Sequence, residues 1–132
     1  MTERYRTERY ELILPEGWDY EPSSASVAFF RLEHGQGAVN ISSLQAPSLD
    51  SDPAGLFREL CKSTLPPKTL RSNQQEDVDV LAGEEAGGDR FWRYWVFWRA
   101  PVAVTVSYNC RLGREGNERE EVDQIVGSLR LL

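Results

Sequence analysis

Phe91, Trp92, Tyr94, Trp95, Phe97 and Trp98 crowd into one short stretch with Arg93 and Arg99 among them. Arginine beside aromatic rings is the composition of protein-binding hot spots and of base-stacking surfaces. The groups able to do covalent or acid–base chemistry are scarcer. His34 is the only imidazole, and the thiols are Cys61 and Cys110. No CxxC occurs, and His34, Cys61 and Cys110 do not stand at metal-ligand spacing, so no metal site is expected. No Gly-x-Ser-x-Gly elbow is present, and any Ser–His or Cys–His pair would have to use His34. Gly35-Gln36-Gly37 lacks the third glycine and the following helix of a dinucleotide fingerprint. Glu84 and Glu85 are neighbours in sequence, but adjacent strand residues point to opposite faces. Glu120 and Glu121 fall at a helix start, where solvated charge is the plainer reading. No catalytic residue, cofactor or metal is therefore expected.

Charge narrows the partners. The formal net charge is −6 over 132 residues. An acidic chain repels phosphate backbones and anionic lipid, so neither nucleic acid nor a membrane is an expected partner. No run of about 18 apolar residues exists to span a bilayer. Met1-Thr2-Glu3-Arg4-Tyr5 is charged and has no apolar h-region, so no signal peptide is expected and the protein reads as cytoplasmic. Two widely spaced cysteines fit reduced, buried thiols; a single long-range disulfide is the alternative.

The elements that must position these residues follow from periodicity. Tyr10, Leu12 and Leu14 alternate as a strand that Pro15-Glu16-Gly17-Trp18 ends in a turn, with Trp18 folding back into the core. The duplicated Thr-Glu-Arg-Tyr at 2–5 and 7–10 is too short to be a structural repeat. Val27 to Leu32 and Ala38 to Leu44 read as strands joined by a hairpin at His34-Gly35-Gln36-Gly37, whose glycines supply positive φ. Asp52 as N-cap and Pro53 at the first helical position start a helix whose apolar face carries Phe57, Leu60, Cys61 and Leu65, and Pro66-Pro67 stops it. Residues 66–77 read as a mobile surface loop. Val78 to Leu81 begins a strand, and Gly83, Gly87 and Gly88 mark a bend or hairpin.

Phe91 to Arg99 and Val102 to Leu112 are two long strands joined at Ala100-Pro101. In the second, Val102, Val104, Val106, Tyr108, Cys110 and Leu112 share one face, a strict period of two. In the first, Trp92, Tyr94, Val96 and Trp98 form one face, and Phe91, Arg93, Trp95, Phe97 and Arg99 the other. Asn117 and Glu120 form a capping-box pattern before Val122, Ile125, Val126 and Leu129 at helical spacing. Ser128 to Leu132 returns as a short edge strand. The fold class is α+β: a mainly antiparallel, twisted sheet of about six or seven strands flanked by two helices.

Leu12-Ile13-Leu14-Pro15-Glu16-Gly17-Trp18 resembles the strand-Pro-x-Gly-Trp opening of Mog1/PsbP-like domains, and the order of the later elements is similar to theirs. Ser107-Tyr108-Asn109-Cys110 resembles a run in a small bacterial family of that fold. The resemblance implies a layered sandwich over residues 1–132 as one domain. Members of the superfamily are mostly non-catalytic; they bind a small GTPase, dock on photosystem II or act as secretion accessories. No functional residue carries over.

A strand apolar on both faces is normally central and covered twice. The alternative leaves one face open, with Phe91, Arg93, Trp95, Phe97 and Arg99 as a partner surface. The expectation is a non-enzymatic, protein-binding domain, monomeric or homodimeric, of the bacterial immunity or secretion-adaptor type. The competing expectation is a carrier of a small apolar ligand, with a cavity lined by aromatics such as Trp18 and Trp98.

Overall fold

The computed structural model describes residues 2–45, 53–61, 68–72, 74–99 and 101–132. Its elements are β1 (Glu3–Arg6), β2 (Tyr10–Leu14), β3 (Trp18–Pro22), β4 (Val27–Arg31), β5 (Gly37–Gln45), α1 (Pro53–Cys61), β6 (Lys68–Arg71), β7 (Asp79–Gly87), β8 (Arg90–Arg99), β9 (Val102–Arg111), α2 (Arg119–Ser128) and β10 (Arg130–Leu131). The larger sheet has seven strands in the order β3-β4-β5-β9-β8-β7-β6, and the smaller has three in the order β1-β2-β10. Every pairing is antiparallel. This is the α+β layered sandwich that the periodicity predicts.

Register decides which side chains share a face. Val106 lies between Ile41 on β5 and Trp95 on β8, and Trp95 lies opposite Ala82 on β7. One face of the large sheet thus carries Phe29, Val39, Ile41, Val104, Val106, Tyr108, Phe91, Trp95, Phe97 and Val80, all buried. The small sheet and α2 close over it with Tyr10, Leu12, Leu14, Leu131, Val122, Ile125 and Leu129. Each large apolar side chain buried there contributes about 1.5–3 kcal/mol. The opposite face is covered by α1 along β8 and β7, where Phe57 packs with Leu81, Tyr94 and Val96.

Several expectations change. Residues 18–22 form β3 and not only a turn, although Trp18 does enter the core. Glu3–Arg6 is a strand on the edge of the small sheet, exposed along most of its length, so no apolar period announced it. Lys68–Arg71 is a strand within the stretch read as a loop. Its pairing with β7 supplies the order that its polar composition hides. In the β4–β5 connection the positive φ belongs to His34, not to a glycine. Gly37 is required for close approach instead, because a Cβ there would collide with the Asn109 carbonyl on β9. The N-cap of α2 is Glu118, which makes no side-chain cap hydrogen bond, so the Asn117–Glu120 capping box does not form. Leu112 lies beyond the end of β9 and is exposed. The expectations at Asp52, Leu65 and Pro66-Pro67 fall outside the described residues.

Candidate functional site

The alternation of β8 splits its aromatics as the sequence predicts, and both faces are covered, as a strand apolar on both sides requires. Phe91, Trp95 and Phe97 point under α2 and the small sheet and are 8%, 5% and 3% exposed. They belong to the core and cannot form a flat partner surface. The register explains this. Arg99 pairs with Val102, so odd-numbered residues of β8 stand beside even-numbered residues of β9, and that row of β9 is the apolar one. A two-residue connection between long strands sets this alignment; the sequence contained the signal.

Arg93 and Arg99 interrupt the buried row and reach its margins. Arg93 Nη2 donates to Asp123 Oδ1 on α2 at 2.7 Å, and its Nε lies 3.3 Å from Glu84 Oε1 on β7. Its guanidinium also sits over the Trp95 ring, 4.5 Å from the centroid, a cation–π contact at the edge of the core. Arg119, in the first turn of α2, donates from Nη2 to the same Glu84 oxygen at 2.7 Å. That hydrogen bond raises the Arg119 pKa, so the Arg119 guanidinium stays charged beside the carboxylate it shares with Arg93. Arg99 lies at the far end of β8, bonded to Asp77 and to the Leu132 carbonyl. Six residue steps along the strand separate Arg93 from Arg99, about 20 Å, so they do not act at one site.

Around Arg93 the surface forms a groove of about 550 Å³. Lys68 and Leu70 of β6 make one wall, and Arg93, Glu84 and Arg119 the other. Ala82, Gly83 and the edge of Trp95 form the floor. Ala82 stands directly between Lys68 and Trp95 across the sheet, and its small side chain leaves the depression. Lys68, Leu70, Glu84 and Arg119 were not among the sequence-predicted site residues. The alternation of Lys68 and Leu70 was the available signal, masked by polar neighbours.

A second polar cluster fastens α2 to the sheets. Glu118 is fully buried; its Oε1 accepts from Tyr108 Oη at 2.8 Å and from the Gly37 amide at 3.0 Å. Its Oε2 lies 3.7 Å from Arg31 Nε. Glu121 accepts from Arg31 Nη1 at 2.8 Å and from Trp18 Nε1 at 2.6 Å. Burial, followed by the hydrogen bond to Glu118, pushes the Tyr108 phenol well above its ordinary range, so it stays protonated and donates. At the other end of α2, the Ser128 hydroxyl accepts from the Ile13 amide at 2.8 Å. These contacts anchor α2 to the sheets, although Glu118 Oε2 and Arg31 Nε, buried and 3.7 Å apart, make no hydrogen bond.

The remaining candidates for chemistry are scattered. His34 is exposed in its turn, and its carbonyl accepts from Arg31. Cys110 is buried and free. Glu84 faces the groove, whereas Glu85 lies on the opposite face of β7, as the alternation requires. Trp18 and Trp98 lie on opposite faces of the large sheet, so they cannot line one cavity. Among the described residues no three metal-ligating side chains converge, and no helix is long and apolar enough to cross a membrane.

The architecture defines a class: the chain has the Mog1/PsbP-like fold. It is similar to the solution structure of the cyanobacterial PsbP protein CyanoP from Synechocystis (TM-score 0.72, 13% identity, 99% of this chain and 92% of that one). It is also similar to the Saccharomyces cerevisiae Ran-binding protein Mog1p (TM-score 0.60, 10% identity, 99% and 96%). A Bacteroides thetaiotaomicron crystal structure matches 93% of this chain at TM-score 0.70 and 15% identity, and the chain spans 45% of its length. No protein-family model and no curated protein matches the sequence.

Proposed function

We propose that the chain is a non-catalytic, protein-binding domain spanning residues 1–132, acting in the cytoplasm as an immunity or secretion-adaptor type protein. Its contact surface is the groove between β6 and the start of α2. The observation that carries this is the placement of Arg93: a charged side chain stacked on the rim of a core tryptophan, beside Arg119, Lys68 and the exposed Leu70. Arginine against tryptophan beside an apolar patch is the make-up of an interface hot spot. The fold is shared with Mog1p, a protein described as Ran-binding, which supports binding in preference to chemistry. Of the five residues named from the sequence, this reading uses Arg93 and the edge of Trp95; Phe91 and Phe97 are buried in the core and Arg99 stands apart. The carrier reading is disfavoured, because Trp18 is packed and hydrogen-bonded rather than lining a hollow.

The test is affinity capture from the source cell with the wild-type chain and a Lys68→Glu/Leu70→Asp variant. The purified partner is then titrated against both proteins. A partner that binds the wild type and loses at least about tenfold in affinity for the variant supports the groove as the contact surface. Equal binding by the two proteins removes it.

A further inference from the structure

We infer that the outer face of the small sheet is a second contact surface, which takes an acidic protein segment carrying an apolar residue among its acids. It adds to the groove proposed above and does not depend on it. The first observation is which side chains this face carries. Register puts Arg6, Glu11 and Arg130 in one row across β1, β2 and β10, and Arg4 beside Ile13 in the next. Tyr10, Leu12 and Leu14 alternate with Glu11 and Ile13 along β2 and are buried, so these five side chains turn away from the core. Three arginines thus stand against one acid, on a chain whose net charge is −6. Ile13, 44% exposed, lies among them.

The second observation is how loosely the arginines are held. The Arg6 and Arg130 side chains are 64% and 49% exposed, and they approach Glu11 only to 4.0 and 3.9 Å, too far for a hydrogen bond. Arg31 and Arg93, by contrast, are bonded to carboxylates at 2.8 and 2.7 Å. Arg4 makes no ion pair among the described residues. On the loop beside β10, Asp77 pairs with Arg99, and Glu11 is the one acid within reach of Arg130 among the described residues. A guanidinium is a fork of donors matched to a carboxylate, so these three keep donors for a partner's acids, and Ile13 offers an apolar contact between them. Charges beyond about 8 Å are screened at physiological ionic strength. A short acidic segment therefore meets only this face, whereas an anionic bilayer or a nucleic acid would also meet the rest of an acidic chain. The contact is with the face and is not an added strand. The Gln75 side-chain amide already bonds both main-chain groups of Leu131 at the free edge of β10.

The test titrates the isotope-labelled full chain with three twelve-residue peptides: Glu-Glu-Leu repeated, Lys-Lys-Leu repeated and Glu-Glu-Ser repeated. The Glu-Glu-Leu peptide is expected to bind saturably and to move the amides of residues 4–6, 11–13 and 130, leaving 68–70 unmoved. Arg4→Glu/Arg130→Glu changes two exposed positions, so Tm should stay at the wild-type value. The same variant should bind at least about tenfold more weakly, with a loss that shrinks as salt is raised. The lysine peptide should bind at least about tenfold more weakly than the Glu-Glu-Leu peptide, and the serine peptide about threefold more weakly. Absence of saturable binding, or equal binding by the double variant or by either control peptide, overturns the inference. Shifts confined to 68–70 overturn it as well and leave the groove standing. Tighter binding to phosphatidylglycerol vesicles than to the peptide, or self-association of the chain, either of them lost in the double variant, makes a bilayer or a second copy the occupant and overturns it too.

Discussion

The two faces of the seven-stranded sheet are built differently. On one, α2 and the small sheet seal a deep apolar layer running from Trp18 and Phe29 to Phe97 and Val80. On the other, α1 covers a shorter patch of Leu81, Tyr94 and Val96. The rest of that face mixes small and polar side chains (Asn40, Ser42, Ala103, Thr105, Ser107 and Asn109) with the half-buried Phe30, Leu44 and Trp98. The difference teaches where this fold keeps its cooperativity. The layer under α2 connects both sheets, so losing it loses everything, whereas α1 is fastened to two strands that have other support.

Substituting an equivalent ring on each face sharpens this comparison. Phe29→Ala should cost about 3–5 kcal/mol, because Phe29 is fully enclosed and touches Tyr5 and Tyr20 from both sheets. Phe57→Ala should cost about 2 kcal/mol or less in global stability, because α1 can loosen before the sheet does. Urea denaturation gives both numbers, and hydrogen exchange should show α1 amides alone losing protection in Phe57→Ala. Equal global costs would break the distinction between the faces.

The polar anchors of α2 come next. Glu118→Ala should destabilise by about 3 kcal/mol, since Tyr108, the Gly37 amide and Arg31 all lose a partner inside the protein. A cost near that of an exposed glutamate, under about 0.5 kcal/mol, would mean that apolar contacts alone hold α2.

Tyr108 and Tyr10 tie the same layer to pH. Burial raises both phenol pKa values in the folded state, with the Glu118 hydrogen bond as a further cause at Tyr108. A raised folded pKa keeps its stabilisation below the unfolded value, about 10, and loses it as pH climbs past that point. Stability should therefore fall above pH 10 by up to about 1.4 kcal/mol per pH unit for each tyrosine. Tyr108→Phe should flatten that slope, and at neutral pH cost about 1 kcal/mol for the lost hydrogen bond. Chemical denaturation at several alkaline pH values separates the two effects; an unchanged slope sinks the assignment.

Legibility in the sequence follows the same division. The long periods of β9 and α2 were readable because one face of each is buried along its whole length. β1, β3 and β6 were not, because edge strands bury little and Glu3–Arg6 or Asp19–Pro22 have no apolar alternation to show. In the site, Arg93 and Trp95 were legible as residue types. Their orientation was recoverable only from the tight β8–β9 connection, and the opposite wall at Lys68 and Leu70 only from tertiary pairing. Glu118 stands beside Glu120 at the start of α2, and nothing local in the sequence distinguishes its buried carboxylate from the exposed one two residues on.

The smallest stability effect belongs to the groove, and it separates binding from folding most cleanly. Lys68 is exposed on an edge strand. Lys68→Glu should therefore leave stability within about 0.5 kcal/mol of wild type. The same change reverses charge at a rim that otherwise carries Arg93 and Arg119, so partner affinity should drop about tenfold and the loss should shrink as salt is raised. Parallel denaturation and titration at two ionic strengths check this. If stability falls as far as affinity does, the wall of β6 holds the fold together and the groove is not a separate working surface.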